Sequence, residues 1–90
     1  MITIRQYLRF YSKDKDGRVI LRKLFKIARE HNDITEFDYW ILIYAFAECR
    51  MVENTCRKLN IQHTKYATAL NEALIRIEYT VNKLDKIRTM

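Results

Sequence analysis

The chain has 90 residues, one glycine and no proline, with 49% apolar and 12% aromatic side chains. That predicts a single domain over residues 1–90, too apolar for disorder and too poor in turn-formers for a β-sandwich or barrel. Lysine and arginine number 17 against 11 acidic residues, a net charge of +6, a balance that speaks to polyanionic or acidic partners rather than to fold.

The charge is unevenly placed: residues 1–32 carry net +6, residues 33–48 net −4 and residues 49–90 net +4. In the first segment Ile4, Tyr7, Leu8 and Tyr11 follow the spacing of an amphipathic helix. A polar loop from Ser12 to Gly17 is expected next, with Gly17 at a positive φ. From Arg18 a second helix is predicted, its apolar stripe formed by Ile20, Leu24 and Ile27, joined by Leu21, Phe25 and Ala28. Arg18, Arg22, Lys26 and Arg29 recur at spacings of four, four and three, a basic stripe on the opposite side. It reads either as a solvated face or as a second surface for phosphates or an acidic partner. A hairpin turning at Asp16-Gly17 is the alternative for residues 7–21.

Thr35 and Asp38 have the spacing of a capping box, and Glu36 and Asp38 suit the positive end of a helix dipole. The apolar run Tyr39 to Ala47 then predicts a helix buried all round, wrapped by the others. A short polar helix from about Val52 to Leu59 follows. After Asn60-Ile61-Gln62 a long helix starts at His63 or Thr64 and ends near Lys86, with a core stripe of Tyr66, Leu70, Ala73, Ile77, Val81 and Leu84. Residues Ile87 to Met90 are expected to fray. The fold class is therefore all-α: a small bundle of about five helices, divided into a basic N-terminal pair (residues 1–32) and a core with a long last helix (residues 33–90).

Residues 51–77 carry the functional signal. A DNA-reading helix-turn-helix needs a small residue where its second helix crosses the first, then an apolar anchor. Next comes a residue that accepts a left-handed backbone, and then a second helix that is apolar inward and polar outward. Cys56, Leu59 and Asn60 meet the first three needs. Ile61 and Tyr66 tuck inward, while His63, Thr64, Thr68 and Asn71 face out. This stretch and its surroundings resemble region 4 of the sigma-70 family of bacterial transcription initiation factors. The resemblance opens at Ile34-Thr35-Glu36-Phe37 and continues through Tyr39–Ala47 and Glu48–Glu53. Thr55-Cys56-Arg57-Lys58-Leu59-Asn60-Ile61-Gln62 stands where the family has Ile-Ala-x-x-Leu-Gly-Ile-Ser. Tyr66 to Ile77, with Glu72-Ala73-Leu74, matches the recognition helix. Roughly residues 34–80 are covered. Thr55, Cys56 and Asn60 depart from the family's isoleucine, alanine and glycine, and residues 1–32 have no counterpart.

The resemblance implies binding to promoter DNA, to RNA polymerase or to both, as in small phage and mobile-element regulators. The chain is too short to carry the family's region 2. Helix-turn-helix geometry puts the start of the second helix at base edges. His63, Thr64, Thr68 and Asn71 are then the base readers. Arg50, Arg57, Lys58 and Lys65 hold phosphates, which set affinity but not sequence. Arg76 adds a further edge cation. The rival expectation is a small helical protein-binding module, a phage or mobile-element inhibitor or adaptor of a host protein, without specific DNA binding. A homodimer fits either, since Val81, Leu84 and Ile87 extend the apolar stripe past the motif.

Other chemistries find little support. Ser12 to Val19 imitates a calcium loop, but Ser12 and Lys23 stand at positions 1 and 12, where an EF-hand needs carboxylates. Cys49, Cys56, His63 and His31 do not have zinc-site spacing. No Gly-rich phosphate loop, Gly-x-Ser-x-Gly or His-Glu-x-x-His occurs. No catalysis, metal or cofactor is expected. The start lacks a signal-peptide pattern, and the longest apolar run has nine residues where a membrane helix needs ~20. A cytoplasmic protein with free thiols and no membrane partner is expected.

Overall fold

Thr3 opens the first helix, α1 (Ile4–Ser12), through a reciprocal cap. Its hydroxyl accepts from the Gln6 N–H at 3.2 Å, and the Gln6 side-chain oxygen accepts from the Thr3 N–H at 3.0 Å. The second helix, α2 (Lys15–Glu30), starts three residues earlier than the apolar pattern indicates, because Asp14 caps it. The Asp14 carboxylate accepts from the Gly17 N–H at 2.7 Å. Gly17 therefore lies in the first turn of a helix, it is buried, and its φ is negative. The expected polar loop with a left-handed glycine is corrected by this, and the hairpin alternative falls with it. The glycine serves proximity instead. A Cβ at Gly17 would stand 1.9 Å from the Tyr11 carbonyl oxygen, so α1 and α2 touch backbone to backbone there.

Asn32 ends α2. It takes φ 61, while its N–H reaches the Arg29 carbonyl at 3.1 Å and the Asp33 N–H reaches Ala28 at 2.9 Å. These two bonds close the last turn in the left-handed manner. The third helix, α3 (Glu36–Leu42), carries the expected capping box: the Thr35 hydroxyl accepts from the Asp38 N–H, and Asp38 Oδ2 accepts from the Thr35 N–H, each at 3.0 Å. Its last residues widen into a π-helical turn, Ile43–Ala47, with the Glu48 N–H bonding to the Ile43 carbonyl at 2.8 Å. Cys49, at φ 52, then redirects the chain. Its thiol bonds to the Phe46 carbonyl at 3.3 Å.

The helix α4 (Val52–Leu59) has the expected bounds. The last helix, α5 (His63–Thr89), keeps a helical backbone past the expected end near Lys86. At 1.5 Å per residue it is ~40 Å long, which accounts for the longest dimension of the molecule, 42 Å. This computed structural model describes the backbone of residues 2–89 and the side chains of residues 2–84. The dimer expectation placed on Ile87 and the expectation for Met90 lie outside those described residues.

The core lies between α2, α3 with its π turn, and α5. Phe25, Leu21, Ile41, Leu42, Ile43 and Ile77 are fully buried there, and Leu8 of α1 closes one side. Each such side chain stabilises by roughly 1.5–3 kcal/mol relative to exposure. The α5 stripe is as expected, with Leu70, Ala73, Ile77 and Val81 buried and Tyr66 and Leu84 half-buried. Two expectations change. On α2 the buried face is Leu21, Leu24, Phe25 and Ala28, while Ile20 and Ile27 lie toward solvent. The helix at Tyr39–Ala47 is not buried all round: Trp40 is 38% exposed, and Tyr39, Tyr44 and Ala45 are half-buried.

Long-range ion pairs lock α5 in place. Arg76 Nη1 donates to both oxygens of the buried Asp38, at 2.9 and 2.8 Å. That bond pushes the Arg76 guanidinium above its ordinary pKa. Lys83 Nζ and the Thr80 hydroxyl both donate to Asp33 Oδ2 at 3.0 Å. The Lys83 bond holds the Asp33 carboxyl below the usual carboxylate range against the opposing effect of burial, and Thr80 adds to the lowering. Both acids flank Thr35, so the start of α3 is tied to the middle of α5.

Candidate nucleic-acid interface

The candidate site is the elbow between α4 and α5. Asn60 sits at φ 55, ψ 49. Its N–H bonds to the Arg57 carbonyl at 3.3 Å, and the Ile61 N–H bonds to the Cys56 carbonyl at 3.0 Å. A left-handed residue therefore closes α4, in the position the sequence assigns to Asn60. The Gln62 carbonyl accepts from the Lys65 and Tyr66 N–H groups at 3.0 and 3.2 Å, which starts α5. Cys56 is 5% exposed, while Leu59, Ile61 and Tyr66 are half-buried around it. Burial pushes the Tyr66 phenol above its ordinary pKa, and Cys56 adds to this while Arg5 opposes it. Thr55 lies fully buried where the helix-turn-helix pattern that the sequence resembles carries isoleucine, and its hydroxyl has no hydrogen-bond partner among the described residues.

The conformation of Asn60 sets an expected result. Asn60→Gly should change stability by less than about 0.5 kcal/mol, because glycine adopts this φ without strain. Asn60→Val should cost about 2 kcal/mol, since a β-branched residue resists the left-handed region. Chemical denaturation of the two variants checks the difference.

The four proposed readers are all exposed, but they do not form one surface. Thr64, Thr68 and Asn71, spaced by four and three, share the outer face of α5. His63 turns toward α4 and, with Glu53, Arg57 and Asn60, lines a cleft of about 560 Å³ at the elbow. Asn71 is engaged already: its Oδ1 accepts from Arg5 Nη2 at 3.0 Å. Arg5 comes from α1, 66 residues away, and nothing in the sequence indicated it. Beyond Asn71 the exposed face of α5 changes character. It carries Glu72, Ile75, Glu78 and Tyr79, with Ile75 73% and Tyr79 64% exposed.

Of the phosphate candidates, Arg57, Lys58 and Lys65 are exposed and have no ion-pair partner among the described residues. Arg57 and Lys58 line a shallow concavity with Arg50 and Asn54. Arg50 differs from its neighbours. Its Nε donates to Glu48 at 2.6 Å, and its guanidinium lies 5.5 Å from the Tyr44 ring centre. Arg76 is held by Asp38 in the same way.

Three of the four α2 stripe cations are engaged within the fold. Arg18 donates to the Ser12 carbonyl at 3.0 Å, and Arg22 lies 4.0 Å from Glu48. Arg29 stacks 3.9 Å from the Tyr39 ring centre and reaches Glu36 at 3.4 Å. These side chains tie α2 to the end of α1, to the residue after the π turn and to α3. Lys26 alone of the four has no such contact among the described residues.

Cys49 and Cys56 are free thiols. Among the described residues no three His, Cys, Asp or Glu side chains gather as a metal site, and no helix is long and apolar enough to cross a membrane. No protein family, curated protein or solved structure matches this chain.

Proposed function

We propose that the chain is a small DNA-binding transcription regulator that inserts the start of α5 into the major groove and uses α4 to grip the backbone. The resemblance to sigma region 4 points to promoter DNA, to RNA polymerase, or to both as its targets. The observation that carries this reading is the elbow itself. A left-handed Asn60 joins α4 and α5 through three residues, with Thr64 and Thr68 facing outward. A short turn between two helices is the form of a helix-turn-helix. Arg57, Lys58 and Lys65 around it are free for phosphate oxygens.

Titration on random duplex DNA at two salt concentrations tests it. Three phosphate contacts predict a log–log salt slope of roughly −3. Lys58→Ala should weaken binding evenly across sequences and reduce the slope by about 1, whereas Thr68→Ala should alter preference between sequences. No binding at low salt, or a flat salt dependence, overturns the reading. Equal effects of both variants on every sequence would mean that the outer face of α5 does not meet base edges.

A protein-binding module is the second reading, favoured by the exposed aromatic face of α3. Phe37 and Trp40 stand out from it, with Tyr44 5.7 Å from Trp40 between ring centres. It would survive the failure of every DNA arm.

A further inference from the structure

Away from the elbow, α1, α2 and the distal half of α5 leave a cleft between them. Tyr7 and Tyr11 of α1, Ile20 and Ile27 of α2 and Leu84 of α5 form its walls, around a volume of about 410 Å³. Tyr7 and Tyr11 also border an adjoining hollow of about 770 Å³ on the outer side of α1, which Ile2 and Phe10 line. Large apolar side chains are uncovered here: Ile2 is 72%, Phe10 67% and Ile20 51% exposed. Contiguous exposed apolar surface with polar edges marks an interaction site more often than chance placement does.

Among the described residues, the charged side chains that line this surface have one sign: Lys23 lines the cleft, and Arg9 and Lys13 line the hollow. None of the three cations has an ion-pair partner among the described residues. Elsewhere Arg22, Arg29, Arg50, Arg76 and Lys83 each face a carboxylate. Exposed apolar side chains and cations without an ion-pair partner among the described residues therefore coincide at this surface.

We propose that this cleft docks an amphipathic helix of another protein, with apolar anchors on one face and carboxylates flanking them. Ile20, Leu24 and Ile27 repeat at the spacing of a helix stripe over ~10 Å, the length of two turns of a bound helix. The anchors of the guest would lie against Ile20 and Ile27, and its carboxylates would reach Lys23, Lys13 and Arg9. A second copy of this chain fits poorly. A two-fold contact sets a patch against itself, which brings cations together with no carboxylate among the described lining residues to answer them. A planar lipid surface does not follow the walls of a cleft between three helices. The site is separate from the elbow, so the inference stands whether or not the chain binds DNA.

The probe is a synthetic acetylated peptide with leucine at helix-stripe spacing and glutamate at most other positions. Its twin carries lysine for glutamate. Calorimetry should show micromolar binding of the acidic peptide and at least about tenfold weaker binding of its twin. Ile20→Asp should weaken the acidic peptide by about tenfold or more, a loss of ~1.4 kcal/mol or more. Its circular dichroism shows whether the fold is kept. The double variant Lys13→Glu with Lys23→Glu needs no apolar change and should exchange the preference, taking the lysine peptide. Equal binding of both peptides, or of neither, overturns the proposal. So does a dimer in sedimentation that Ile20→Asp dissolves, and so does binding to phosphatidylglycerol vesicles without peptide binding.

Discussion

Gly17→Ala is expected to destabilise the protein by about 3 kcal/mol, although alanine in a helix is intrinsically better than glycine by ~1 kcal/mol. The sign is decided by what the new methyl group meets. It would stand 1.9 Å from the Tyr11 carbonyl oxygen, 2.8 Å from its carbonyl carbon and 3.0 Å from its Cα. All three atoms are backbone, so no rotamer change relieves the contact. The helix α1 must move outward, and Leu8, fully buried beneath it, would lose contacts with the core. For a domain of this size the loss corresponds to a fall in Tm of roughly 12–24 °C. Thermal unfolding gives the answer, and amide exchange should locate the loosening in α1. A Tm equal to or above that of the native chain would show that the helices do not meet at Gly17.

This glycine shows where a sequence is legible and where it is not. Glycine beside aspartate reads as a turn because glycine accepts left-handed backbone. The same missing side chain serves equally well for close approach, and only the path of the neighbouring helix tells which. Asp14 supplied a clue, since a cap there starts a helix that contains Gly17. Signals that act within a few residues were readable: the Thr35–Asp38 box, the bounds of α4, the left-handed Asn60 and the buried stripe of α5. Signals that join distant residues were not. Arg5 meets Asn71 across 66 positions and Arg76 meets Asp38 across 38. No local pattern separates those arginines from Arg57 or Lys58, which stay free. With a single glycine, and that one helical, the left-handed bends fall to other residues: among the described residues Asn32, Cys49 and Asn60 each take a positive φ.

Arg76→Met is expected to cost about 3 kcal/mol, at the lower end of the range for leaving a buried charge without its ion-pair partner. Asp38→Ala is expected to cost less, about 2 kcal/mol, from a lost cap and lost charged hydrogen bonds. The order follows from burial. The Asp38 side chain is 3% exposed and that of Arg76 42%. Without Asp38 the guanidinium turns to water at small cost. Without Arg76 the carboxylate remains inside, with the Thr35 N–H as its remaining partner among those described. Removing Asp38 from the Arg76→Met chain should then cost little further, giving a coupling of about 2 kcal/mol in a double-mutant cycle. The cycle also separates two roles for Arg76. As a clamp between α3 and α5 it affects stability while leaving the salt slope of the proposed DNA binding unchanged at temperatures well below Tm. As a phosphate contact it would lower that slope by about 1 in the variant. The bond to both Asp38 oxygens argues for the clamp, because a guanidinium so held must give up its partner before it can meet a phosphate.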